Sequence, residues 1–200
     1  MDITFLFKGM LLGFCVAVPV GPVALHCIRQ TLHYGRLSGL ASGLGAATAD
    51  SIYATLSALS MTYISNFLTT DRIWIHVFGG VFLLVFATIL FFAKPKEKPE
   101  KVTHTTLLSD YVSTLVFTLA NPLTIIAFIA IFAALNISQY EGSIPFLVVG
   151  VFFGASFWWL ILTEGLTYFH KGFSRKTMIL INRIAGIFFY AFGIGALLSI

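Results

Sequence analysis

A chain of 200 residues that is 58% hydrophobic and 10% charged, with mean hydropathy +0.94, carries more apolar surface than a soluble domain of this size needs. The composition excludes a soluble globular domain and points to the membrane. The net charge of +4 is accounted for by membrane topology, so no nucleic-acid partner is implied.

Spanning the hydrocarbon takes roughly 20 apolar residues. Six such stretches run at about 9–28, 37–60, 73–93, 111–133, 144–166 and 179–199. The first is longer than a signal-peptide core and holds prolines, so it reads as an uncleaved span. Its centre is Val18-Pro19-Val20-Gly21-Pro22. Proline removes a backbone donor and clashes with the preceding turn. In a bilayer that is tolerated only where other groups or a wet cavity satisfy the freed carbonyls. Pro19, Gly21 and Pro22 are therefore candidate substrate-binding or gating residues, with half-helix ends turned toward a ligand. His26, one turn beyond Pro22, is a weaker candidate for a proton role. Cys15 and Cys27 lie about 18 Å apart along one helix, too far for a disulfide.

The second stretch opens with Gly39 and Gly43, which with Ala46 and Asp50 share one helix face. Small residues let a neighbouring helix approach closely. An ionisable side chain at membrane depth is expensive and is by default a functional hypothesis. Asp50 is the candidate proton-coupling residue. The segment 94–101 alternates Lys, Glu and Pro and reads as a solvated linker. The fourth stretch is interrupted at Asn121-Pro122, and both residues join the candidate site. Gly150 and Gly154 open the fifth stretch as a second small-residue pair for helix packing, and Glu164 near its end is a weaker candidate. Asn182 and Arg183 at the start of the sixth are also weaker candidates, although Arg183 can snorkel to the headgroups.

Two proline breaks in the first and fourth stretches divide the chain into halves. Gly80, Phe82 and Phe86 in the third stretch repeat as Gly186, Phe188 and Phe192 in the sixth. Three spans per half is an odd number, so the halves cross the membrane in opposite senses. The expected fold is all-α and integral to the membrane. It has six transmembrane helices as two inverted three-helix repeats, 1–93 and 111–200, joined by a cytoplasmic linker, 94–110. Ten of the twelve basic residues fall on the linker side, which places both termini outside.

With Pro19-Val20-Gly21-Pro22, a Gly-rich second span carrying Asp50, and Asn121-Pro122-Leu123, the chain resembles the lysine exporter family (LysE, with its RhtB branch) over essentially its whole length. The resemblance implies export of amino acids or related small polar metabolites, driven by the proton motive force, from a bacterial inner membrane. It departs at Leu123, where the family carries a lysine. A metal-ion transporter of the same superfamily is the alternative, although a metal site wants several acids or soft ligands and only Asp50 is deep. An integral-membrane enzyme would need a nucleophile–base pair or ligand cluster, and none has suitable spacing. A scaffold subunit would have no use for paired breaks and a deep acid. The reading includes no cofactor and no resident metal, expects the lipid bilayer and a small-molecule substrate as partners, and leaves homo-oligomerisation open.

Overall fold

The computed structural model describes residues 3–67, 72–93, 106–134, 143–169 and 175–198. Among the described residues there are eight α-helices and no strand: α1 Ile3–Ala17, α2 Pro22–Tyr34, α3 Arg36–Phe67, α4 Arg72–Phe92, α5 Leu107–Leu119, α6 Pro122–Ala134, α7 Ile144–Phe169 and α8 Arg175–Leu198.

Both proline sites end a helix. α1 stops at Ala17, and α2 restarts with Pro22 in its first turn, where a missing N–H costs nothing. The two axes differ by 82°. Across Asn121 the chain bends by 62° between α5 and α6. Both angles far exceed an ordinary proline kink. α7, over Ile144–Tyr168, is long and apolar enough to cross a membrane on its own. Each bent pair qualifies only when its two helices count as one span. α4 and α8 contribute shorter apolar stretches, Gly80–Phe92 and Ile179–Gly195. The 32 residues of α3 have the length but are diluted by small and polar side chains. α5 begins at Leu107, so its first turn, including Asp110, lies within the segment that the sequence reading gave to the linker.

The helices of the two halves exchange partners. α1 packs along α7, α5 along α3, α4 along α8, and α3 along α7 at the centre. Small residues set the α1–α7 approach. A Cβ added to Gly9 would lie 2.1 Å from the Leu147 carbonyl oxygen, and one on Gly154 would lie 1.9 Å from that of Met10. The backbones touch there, which only glycine permits. Gly150 faces the same helix, whereas Gly43 and Gly39 of α3 face Trp159 of α7 and Thr31 of α2.

Two apolar clusters form the core. One joins α1, α3, α4, α6, α7 and α8 around Phe128, Phe132 and Phe189. The other gathers Ala24, Cys27 and Ile28 of α2 with Ala46, Trp159 and Leu162. Outside, Phe7, Leu11, Val85, Phe153, Phe157 and Ile187 are each more than half exposed. Such a surface suits hydrocarbon and not water. Two buried hydroxyls of α5 are satisfied within their own helix: Thr114 donates to the Asp110 carbonyl and Thr118 to that of Thr114, both at 2.8 Å.

A candidate substrate site where both helix breaks meet Asp50

The two breaks open onto one cavity of about 110 Å³. Pro19, Gly21 and Pro22 line it from the first break, and Asn121 and Thr124 from the second. Asp50 and Ala46 reach it from α3, Trp159 from α7, Phe86 and Leu90 from α4. Its volume is room for about three or four waters, and far less than a drug-sized pocket. Two half-helices therefore begin at this cavity, α2 and α6. Their N-terminal ends carry the positive pole of the helix dipole. Gly21, the N-cap of α2, provides no side-chain cap. The ends of α1 and α5 reach it from the opposite direction, through Val16, Ala17 and Thr118.

Asp50 is buried, with 4% of its surface exposed. No Lys or Arg lines the cavity with it. The cavity thus joins one carboxylate, the polar side chains of Asn121, Thr118 and Thr124, and two helix N-termini, within apolar walls. It can receive an ammonium group at Asp50 and an anionic group at a helix end.

Each break is held by one side chain from a distant helix. The Val20 N–H donates to Asn182 Oδ1 at 2.6 Å, and Asn182 Nδ2 donates to the Val20 carbonyl at 3.3 Å. One amide side chain thereby replaces the helical bonds that the prolines removed. At the second break the Tyr53 hydroxyl donates to the Leu119 carbonyl. The Asn121 N–H bonds back to Thr118 at 3.0 Å.

The remaining sequence candidates lie elsewhere. Asn182, a weaker candidate in the sequence, is 1% exposed and sits against the first break, seven residues into α8. Arg183 points the other way, over the Phe91 ring at 5.6 Å. Glu164 pairs with Arg36 at 2.6 Å, half-exposed at the end of the bundle that holds the α2–α3 turn. His26 packs against Phe117, ring centroids 5.8 Å apart, away from the cavity lining. The side chains of Pro122 and Leu123 lie outside the described residues. Sequence reasoning missed Tyr53 and Asp110. Tyr53 lies three positions after Asp50, on the adjoining face of α3, and that spacing was its one signal. Among the described residues no group of three or more His, Cys, Asp or Glu is placed to hold a metal ion.

The family model of the LysE type translocator matches residues 14–199. The chain belongs to the LysE type translocator family. Neither a curated protein nor a solved structure gives a match. Membership makes the molecule a multi-pass membrane transporter, in keeping with its lipid-suited surface and apolar helices. The matched region contains both helix breaks and Asp50.

Proposed function

We propose that this LysE type translocator exports amino acids or related small polar metabolites, and that proton entry through Asp50 drives the export. The observation that carries this reading is the convergence of both interrupted helices and a buried carboxylate on one small cavity. Paired interruptions of this kind are how secondary transporters present backbone charge to a zwitterion at the bilayer centre. A proton on Asp50 alternates with the ammonium group of the substrate for the same carboxylate, so the two move in opposite directions. The cavity is too small for large solutes in this closed form.

In this reading each bent pair is one span, and six spans form two inverted repeats of three. The exchanged packing, α1 on α7 and α5 on α3, is what an inverted pair of halves produces. Both termini then lie outside a bacterial inner membrane, with the 94–110 linker in the cytoplasm. The metal-ion alternative is less well supported, because among the described residues Asp50 is the one carboxylate lining the cavity.

The test is a metabolite-efflux comparison of cells with and without the protein, followed by uptake in vesicles under an imposed pH gradient. Accumulation of an amino acid against its gradient, abolished by collapsing the pH difference, is the expected result. Efflux of a divalent metal without any amino acid would transfer the chain to the alternative.

A further inference from the structure

At the end of the bundle that holds the α2–α3 turn, a second buried carboxylate ties three helices together. Asp110, in the first turn of α5, is 4% exposed. Its Oδ1 accepts from Gln30 Nε2 of α2 at 3.0 Å, and its Oδ2 accepts from Ser38 Oγ of α3 at 2.8 Å. Gln30 and Ser38 are each 2% exposed. A buried charge is stable only with such partners, and these are its hydrogen bonds to side chains from 80 and 72 residues away.

The cluster is separated from the cavity by packed layers. Along α3, Ser38 precedes Asp50 by 12 residues, about 18 Å of helix. Between them lie tight layers. Trp159 presses on Gly43, where an added Cβ would meet its Cβ at 2.5 Å. Thr31 and Thr163 press on Gly39 in the same way. These layers lie between the cluster and the cavity along α3, with Thr31 of α2 in the outer one.

α2 is built to move as a unit. It has 13 residues and a hinge at each end. At its start is the proline break, bent by 82°. At its end is Gly35, with φ +90°, which alone connects α2 to α3 and has nothing within 4 Å of an added Cβ. Short turns of this kind absorb the dihedral changes of hinge motion. The buried face of α2 carries Ala24, Cys27 and Ile28, and α2 packs mainly on α3 and α7. Gln30 sits in its last two turns, where leverage about the proline break is greatest.

We infer that α2 is the gate of the passage at this end, and that the Gln30–Asp110–Ser38 hydrogen bonds are its latch. Opening breaks the Gln30–Asp110 bond, swings α2 about Gly35 and the proline break, and exposes Asp50 and Ala46 to the water on that side. The inference rests on reading the chain as an alternating-access transporter, but not on the identity of its substrate.

The test reads access without any substrate. A single cysteine replaces Ala46 in the cavity wall, in a background with Cys15→Ala and Cys27→Ala, and a tag inserted in segment 94–101 marks the side that carries the linker. Reaction with a small, membrane-impermeant, positively charged methanethiosulfonate is timed from each face of sealed vesicles. Asp110→Ala is expected to speed labelling from the linker side by about tenfold or more, the factor that loss of one charge-assisted hydrogen bond gives in a two-state equilibrium. Gln30→Glu sets two carboxylates face to face and is expected to do the same. It carries the test alone if Asp110→Ala does not yield folded protein. The pair Gln30→Glu with Asp110→Asn restores a hydrogen bond with donor and acceptor exchanged, and should return labelling to the parental rate. Unchanged labelling in the folded single variants overturns the latch. So does acceleration from both faces alike, or a paired variant as fast as Gln30→Glu. A transport assay that fails to find amino-acid export leaves these rates untouched, so the two readings fail separately.

Discussion

Asn182 of α8 holds both edges of the Val20 peptide, accepting from its N–H at 2.6 Å and donating to its carbonyl at 3.3 Å. The pair spans 162 residues and joins the last helix to the first break. Because Pro19 and Pro22 flank this peptide, it has no helical partner on either side that could take over. Asn182→Ala strands a buried donor and acceptor, at about 1–3 kcal/mol each. The expected outcome is a clear drop in the unfolding midpoint of the detergent-purified protein. Asn182→Leu, which refills the volume, should fall by a similar amount, because the polar atoms stay unsatisfied. Full stability in both variants would show that water replaces the amide.

Tyr53 does the corresponding work at the second break, donating to the Leu119 carbonyl. Tyr53→Phe keeps the ring and its packing against the core. Loss of one such bond costs about 1 kcal/mol. The expected stability change is therefore smaller than for Asn182→Ala, and the order of the two midpoints checks the comparison.

The α1–α7 contact predicts a steeper response. A Cβ on Gly154 would stand 1.9 Å from the Met10 carbonyl oxygen, and that oxygen belongs to backbone, which cannot rotate away. Even Gly154→Ala must push two helices apart, an overpacking cost of typically about 1–3 kcal/mol. Gly165, with nothing within 4 Å of an added Cβ, is the control. Gly165→Ala should leave the yield and midpoint of folded protein unchanged, while Gly154→Ala lowers both.

What the sequence made legible follows from how strong each local signal is. Proline acts on the backbone wherever it falls, so the breaks at Pro19 and Asn121-Pro122 were readable without a fold. Asp50 stood out because charge at membrane depth is rare, and the spacing from Gly39 placed it on a small-residue face. Asp110 gave no such signal. It lies where hydropathy rises from the linker, and an acid there resembles any interfacial residue. Its burial depends on Gln30 and Ser38, which only the packing of α5 on α3 brings to it. Asn182 was a weaker candidate for the same reason: its neighbour Arg183 faces outward, and only the partner, Val20, reveals what Asn182 holds. Glu164 and Arg36 meet at one end of the bundle, and no periodicity could show that pairing.

Orientation is tested by charge alone. In the proposed six-span topology, ten of twelve basic residues fall on the linker side. Reporter fusions in segment 94–101 and at the C-terminus are expected to report opposite sides of the membrane, with the linker in the cytoplasm. Finding both on one side would remove the odd number of spans between them, and with it the inverted repeat.

The decisive prediction concerns Asp50. Among the described residues it is the one acid lining the cavity, it is buried, and both helix breaks line the same cavity. Burial disfavours an isolated charge, so the carboxylate must be neutralised in each half of the cycle, by a proton or by the cation of a substrate. Asp50→Asn keeps the shape and one acceptor but cannot take up or release a proton. It is expected to insert and fold normally, and to lose substrate movement driven by a pH gradient across vesicles. If Asp50 only couples, exchange of labelled for unlabelled substrate persists, since exchange needs no net proton transfer. If Asp50 also holds the ammonium group, exchange falls with it, because an amide offers no charge to replace the lost ion pair. Gradient-driven transport at the parental rate in Asp50→Asn would remove the proton from this residue and leave the cavity with a binding role alone.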